Sequence, residues 1–346
     1  MQVIAAIIYA VFLPVNLYFY WPFLDQAQLK NDQPQIGSVQ GAEISTEKQL
    51  PESLKNSIAS DSDNFQNSQD GYGGSGLIPQ KKSTFYNTKI FAGSSVAIDV
   101  NTGTILYYDD GRTKTPIASL TKVMTATMIL EKVKDLNEVV TIDEEALAAE
   151  GTKVGCPTTG YCIDEKLHLG EKITVGDLLK AMLMDSANDA AIALGKHVAG
   201  SQKAFAALMN EKAKELTLKD SHFCNPSGLD EDGCYSSAYD IARITAYSMR
   251  YDRIWSIMDT KEDTVHSIDG KYTHILKSTD VILDEVPNCL GGKTGFTYNA
   301  GKSLMLASAD PTSGKHKIVA VILNDNERWA DMKNLIAWTF ENYEWK

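Results

Sequence analysis

Pro116-Ile117-Ala118-Ser119-Leu120-Thr121-Lys122 opens a helical pattern that runs to about residue 134. Ser119 and Lys122 are three residues apart, so on a helix they share a face, one turn apart. A serine hydroxyl is a weak nucleophile unless a base lies within hydrogen-bond reach. Lysine is that base only when its amine is neutral, and burial or nearby positive potential depresses its pKa. The helix N-terminus supplies such potential and also favours a developing oxyanion. The spacing alone decides nothing, because a chain of this length holds about one Ser-x-x-Lys by chance. A second copy, Ser45-Thr46-Glu47-Lys48, stands in a polar stretch that cannot hold a reactive geometry.

Two further elements follow in order. Ser186-Ala187-Asn188 falls between two helical patterns, and Gly291-Gly292-Lys293-Thr294-Gly295-Phe296-Thr297 precedes a strand. Lys-Thr-Gly is expected on the order of 0.1 times per chain by chance. A Lys-Thr pair on a strand binds a carboxylate through charge and hydroxyl together, and the glycine leaves room for substrate beside the backbone. A literal Ser62-Asp63-Asn64 lies ahead of the Ser-x-x-Lys, in the polar stretch, and is set aside. Taken singly, Ser119 reads as a helix N-terminal serine, Lys122 as a solvated lysine and Asn188 as an N-cap. Their order, at matching helix, loop and strand positions, reverses that reading.

Around these elements the chain reads as an α/β (α+β) domain. Ser95–Val100 alternates, Asn101-Thr102-Gly103 turns and Thr104–Tyr108 returns, a hairpin signal. Helical patterns follow near 118–134, 176–185, 188–199, 202–216 and 237–258. Strand-like segments return at 263–268, 271–277, 302–308 and 316–323, and a last helix runs from Glu327 to Tyr343. Strands at both ends with helices between predict one antiparallel sheet built from both termini and flanked by helices.

The ordered trio resembles the penicillin-binding and serine β-lactamase superfamily. Pro116–Thr125, Ser186–Ala191, Asn225-Pro226-Ser227-Gly228-Leu229, Ser237–Arg243 and Lys293–Gly301 narrow the resemblance to the low-molecular-weight D-alanyl-D-alanine carboxypeptidases, peptidase family S11. It covers about 90–343. It implies the superfamily fold, with an all-helical subdomain, and a serine acyl transfer without metal or cofactor. Ser119 would attack the carbonyl between two terminal D-alanines of a peptidoglycan stem peptide, and Lys122 would take its proton. Ser186 would relay a proton to the leaving amine, and Asn188 would bind substrate backbone and order Lys122. Lys293, Thr294 and Thr297 would hold the terminal carboxylate, with Gly295 making room. The N–H groups of Ser119 and Phe296 would form the oxyanion hole. Lys293 would help keep Lys122 neutral, and β-lactams would trap the same serine.

Three rivals stand beside this reading. A D,D-endopeptidase or transpeptidase uses the same residues. A class A β-lactamase needs a deacylating Glu after the second motif, and no convincing Glu-x-x-Leu-Asn follows here. An idle cell-wall-binding domain would need no nucleophile.

Charge divides the 346 residues into three parts. The net charge is −12, yet residues 1–24 carry no charged side chain, 25–85 hold 8 acids and 5 bases, and 86–346 carry −9. An acidic chain without basic clusters is a poor nucleic-acid binder. Val3–Leu24 is apolar and, as a helix, spans about 33 Å, enough for a bilayer core. No basic region precedes it and no small-x-small site follows, so an uncleaved membrane anchor is expected over a signal peptide. Residues 25–85 read as a disordered polar tether and 86–346 as the catalytic domain, held on the extracytoplasmic side of the cell membrane. Many members of the family carry a C-terminal β-rich domain and anchor; here the N-terminal segment would replace that anchor. Glu150–Leu169 is longer than the family pattern and would line the cleft. Cys156, Cys162, Cys224, Cys234 and Cys289 form no metal motif. They read either as disulfides 156–162 and 224–234 with Cys289 left over, or as five thiols. The histidines show no ligand or triad spacing.

Overall fold

The structure, a computed structural model, describes residues 77–156, Cys162 and 166–346. Along them run β1 (Pro79–Lys81), β2 (Ser94–Asp99), β3 (Ile105–Asp109), a 3-10 turn (Ala118–Leu120) leading into α1 (Thr121–Lys132), β4 (Val139–Thr141), α2 (Glu144–Leu147), β5 (Lys172–Thr174), α3 (Val175–Met184), α4 (Asn188–Ala199), α5 (Gln202–Glu215), α6 (Ala238–Ser248), α7 (Asp252–Met258), β6 (Glu262–His266), β7 (Thr273–Lys277), β8 (Cys289–Thr297), β9 (Gly301–Ala309), β10 (Lys317–Leu323), α8 (Arg328–Asn342) and β11 (Tyr343–Trp345).

Five strands pair antiparallel in the order β3-β2-β10-β9-β8. Val96 of β2 lies opposite Val321 of β10, so the sheet is built from both ends of the domain, as the sequence predicts. Side-chain alternation gives it two apolar faces. Val96, Ile98, Met305, Val319 and Val321 join the core on the helical side. Ala97, Leu304, Leu306, Ile318 and Ile322 pack toward Met332, Leu335 and Ile336 of α8. Burial on both faces explains why β10 reads as an unbroken apolar run.

Helix α1 is buried from Thr121 through Ile129, with α3, α4, α5 and α6 packed around it. Its polar residues are therefore bonded internally: Thr125 Oγ1 donates to the Pro226 carbonyl at 2.7 Å and Thr127 Oγ1 to that of Val123 at 2.8 Å. Side-chain oxygens of Thr174, Ser201 and Ser237 cap α3, α5 and α6, so those helices start where the capping residues stand.

Three features differ from expectation. The pattern at 237–258 is two helices, because Tyr251 leaves the helical region (φ −110, ψ 85) although the apolar spacing continues. Strands β4 and β5 are three residues each, too short to show a period. Residues 77–85 fall within the expected tether, yet β1 pairs with β11, Pro79 opposite Trp345. The expected anchor at 3–24, the tether up to residue 76, and residues 157–161 and 163–165 of the long loop lie outside the described residues. Among the described residues no helix is long and apolar enough to cross a membrane. Cys156–Cys162 and Cys224–Cys234 are disulfide-bonded and Cys289 is a free thiol, the oxidised of the two alternatives.

Candidate active site

Ser119 sits in the middle of the 3-10 turn, after Ala118 at φ +48. One turn on, Lys122 is fully buried. Its Nζ lies 2.8 Å from Ser119 Oγ, 2.7 Å from Asn188 Oδ1 and 2.6 Å from the Ser227 carbonyl. Asn188 Nδ2 donates to the Glu150 carbonyl at 2.7 Å, so its oxygen is the end that faces the lysine. Burial holds the Lys122 amine well below its ordinary pKa, and the charge of Lys293 pushes the same way, against an opposing pull from Asp189. A neutral amine has two N–H groups and one lone pair. The amide oxygen and the carbonyl can only accept, so they take the two N–H groups. In that neutral form the lone pair would be left for the Ser119 hydroxyl, whose Oγ lies 2.8 Å from Nζ.

The backbone holds this pair by close contact. Gly228 stands at φ +80, and a Cβ there would lie 2.0 Å from the Ala118 carbonyl oxygen and 2.7 Å from Thr121 Oγ1. The loop carrying it is fixed by Asn225, whose Oδ1 accepts from Gly228 N at 2.7 Å. On the other side, a Cβ on Gly295 would lie 3.0 Å from the Ile117 oxygen, so edge strand β8 lies directly against the 3-10 turn.

Ser186 is buried at φ +61, two residues before Asn188. Thr152 braces this turn: its Oγ1 donates to the Ser186 carbonyl at 2.7 Å, and its own carbonyl accepts from Asn188 N at 2.8 Å. Asp189 accepts from Val154 N at 3.2 Å and Asp185 from Gly155 N at 3.1 Å. Burial raises both carboxyls to about 6. The start of the long loop is thus stitched to the second motif.

Lys293 is buried on β8, with Nζ donating to the Thr294 carbonyl at 3.0 Å. Burial lowers its pKa to about 7; Asp280 and Asp185 pull it up, and Arg328 pushes it further down. Thr294 and Thr279 hydroxyls are 2.6 Å apart. Arg328 Nη1 donates to the carbonyls of Gly295 at 3.0 Å and Ser303 at 3.1 Å, clamping β8 to β9. Phe296 is 43% exposed at the open end of β8. Thr297 is held by its neighbours. Its hydroxyl donates to Asp230 Oδ1 at 2.9 Å and accepts from Ala300 N at 3.0 Å, so its hydrogen is already engaged.

Sequence reasoning missed Ser227, Thr152, Asp280 and Arg328. Ser227 contributes a backbone carbonyl, which no side-chain pattern announces, and the other three act by packing beside the motifs from distant positions. Among the described residues, Cys224, Glu231 and Cys234 are close enough together to suggest a metal site. The two cysteines are joined as a disulfide, so no thiolate is present to ligate.

A half-buried serine one turn from a buried lysine, beside an antiparallel sheet edge, places the molecule among the DD-transpeptidase and penicillin-binding-protein folds. The Streptomyces K15 DD-transpeptidase superposes with a TM-score of 0.66 at 25% identity, covering 74% of this chain and 99% of that one. A D-alanyl-D-alanine carboxypeptidase from Mycobacterium tuberculosis superposes with a TM-score of 0.66 at 28% identity, covering 76% and 96%. Within that class the chain belongs to the Peptidase S11 family, D-alanyl-D-alanine carboxypeptidase, whose sequence model matches residues 80–327. The carboxypeptidase DacF of Bacillus subtilis is 33% identical over 262 residues, 73% of this chain and 63% of the relative. DacA of Escherichia coli is 33% identical over 264 residues, 74% and 62%. A D-alanyl-D-alanine endopeptidase of Pseudomonas aeruginosa is 30% identical over 261 residues, 75% and 81%. The chain therefore spans a little over three fifths of the length of the two carboxypeptidases.

Proposed function

We propose that this protein is a serine-type D-Ala-D-Ala carboxypeptidase that removes the terminal D-alanine from peptidoglycan stem peptides and is trapped by β-lactams. The observation that carries the reading is the buried Lys122, its pKa held well below the ordinary value, with Nζ 2.8 Å from Ser119 Oγ. Lys122 takes the Ser119 proton as Oγ attacks the penultimate D-alanine carbonyl. The N–H groups of Ser119 and Phe296 stabilise the oxyanion. Lys293 and Thr294 hold the terminal carboxylate, Ser186 passes a proton to the departing amine, and Asn188 fixes substrate and lysine together. Water then cleaves the acyl-enzyme, with Lys122 again as base. The domain works on the extracytoplasmic side, anchored by residues 3–24 and reached out by the segment up to about residue 76. The two disulfides support an oxidising compartment.

The test is labelling with a fluorescent penicillin. Wild type should form a long-lived covalent adduct and release D-alanine from a pentapeptide; Ser119→Ala should abolish the adduct and lower turnover by about 10⁴-fold or more. No adduct together with no D-alanine release sinks the reading, and rapid turnover of the drug favours a β-lactamase. An endopeptidase is the second reading, favoured by the 81% coverage of the Pseudomonas endopeptidase. Faster cleavage of a cross-linked muropeptide dimer than of the pentapeptide would select it.

A further inference from the structure

A groove of about 820 Å³ lies on the α8 side of the sheet, the face opposite Ser119. It runs between Phe340 of α8, the β9–β10 loop with His316, and Trp345 of β11. Its size falls within the roughly 300–1,000 Å³ of small-molecule sites. The proposed chemistry around Ser119 uses none of it.

The lining discriminates between ligand classes. His316 stacks on Trp345 with ring centroids 5.0 Å apart and planes at 12°. The Trp345 indole is fixed from behind, Nε1 donating to Asp99 Oδ2 at 2.8 Å, and Phe340 lies 5.9 Å from it. Four carboxylates also line the groove, Glu285, Asp310, Glu341 and Glu344; Glu341 accepts from the Tyr86 hydroxyl at 2.8 Å and Glu344 pairs with Lys346 at 2.6 Å. The cations are engaged: Lys82 Nζ donates to the Phe340 carbonyl at 2.8 Å, and Lys333 pairs with Glu285 at 2.6 Å. Four carboxylates against the two lysines Lys82 and Lys333 leave the lining negative, which disfavours an anionic ligand. A neutral polyhydroxylated ring suits the lining, with its C–H face on the aromatics and hydroxyls donating to the carboxylates. His316, 8% exposed, has a buried Nδ1 with no hydrogen-bond partner among the described residues.

We propose that this groove is a glycan site that binds neutral N-acetylated hexosamine units. The choice of sugar rests on the cell-wall reading above: the peptide substrate hangs from such a polymer, and a second contact would raise the local concentration of stem peptides.

The test is titration of the full-length protein with tetra-N-acetylchitotetraose, read by the indole NMR signals and by Trp345 fluorescence. A saturable change is expected, equal in Ser119→Ala, lost in Trp345→Ala and weakened several-fold in Glu344→Gln. Glu344 is partly exposed, so its variant keeps the proposal testable should Trp345→Ala misfold. No saturable change at millimolar sugar overturns the proposal, as does binding that maps to the Ser119 cleft or a groove filled by the protein's own first 76 residues. Penicillin labelling of the same sample separates the two readings. Label without sugar binding overturns only the glycan site; sugar binding without label overturns only the proposed peptidase activity.

Discussion

Lys122 and Lys293 are both buried cations, with opposite requirements in the proposed reaction. Lys122 must be neutral to accept a proton, and burial moves its pKa well down, in the direction that role requires. Lys293 must be charged to attract a carboxylate, and its pKa near 7 leaves it protonated only below that pH. The ionised Asp280 supports that charge, and burial raises its own carboxyl to about 6. The profile of kcat/KM reports the free enzyme. It should fall as pH rises through about 7, where Lys293 loses its proton. Asp280→Asn removes the attraction, lowers the Lys293 pKa further and should move that limb to lower pH, while Ser119 remains acylable. An unmoved limb would show that Lys293 does not control it. Ser119, Lys122, Asn188 and Lys293 were legible because motif order exposes side chains. Asp280 was not, because its effect depends on burial and distance, which composition does not encode.

At the scale of elements, the 3-10 turn is gripped between β8 and the loop at 225–229, and Gly228 is the tighter of the two contacts. Gly228→Ala should force its Cβ into the Ala118 carbonyl and displace Ser119. Penicillin acylation should slow by about 10²-fold, since displacements near 1 Å carry that penalty. Thermal or urea unfolding should show a loss of about 3 kcal/mol. Unchanged acylation would mean that the turn absorbs the methyl without moving the nucleophile. The sequence located the long helices well, because periodicity over ten or more residues reports a buried face. It ran α6 and α7 together, because periodicity survives a short break. It missed β1, β4, β5 and β11, whose three residues cannot display a period.

At the scale of the whole molecule, the chain ends of the described domain hold each other. Beyond the β1–β11 pairing, Phe85 packs edge-on against Trp338 at 5.7 Å and Tyr343 at 6.1 Å, and Trp338 Nε1 donates to the Tyr86 carbonyl at 2.8 Å. A chain beginning at residue 89 should be less stable than one beginning at residue 77 by about 3–5 kcal/mol. Chemical denaturation measures the difference, and acylation at low temperature should be the same in both. Equal midpoints would show that residues 77–88 are dispensable to the fold. The sequence by itself singled out Ser119, Lys122, Asn188 and Lys293 as candidates, together with a sheet drawn from both termini, since local spacing and chain order carry that information. Only the tertiary structure decided that the buried Lys122 Nζ lies 2.8 Å from Ser119 Oγ, that Thr297 is turned to Asp230, and that residues 77–85 belong to the fold. Each depends on which groups are brought within about 3 Å across long sequence separations, where burial and hydrogen-bond direction set the chemistry.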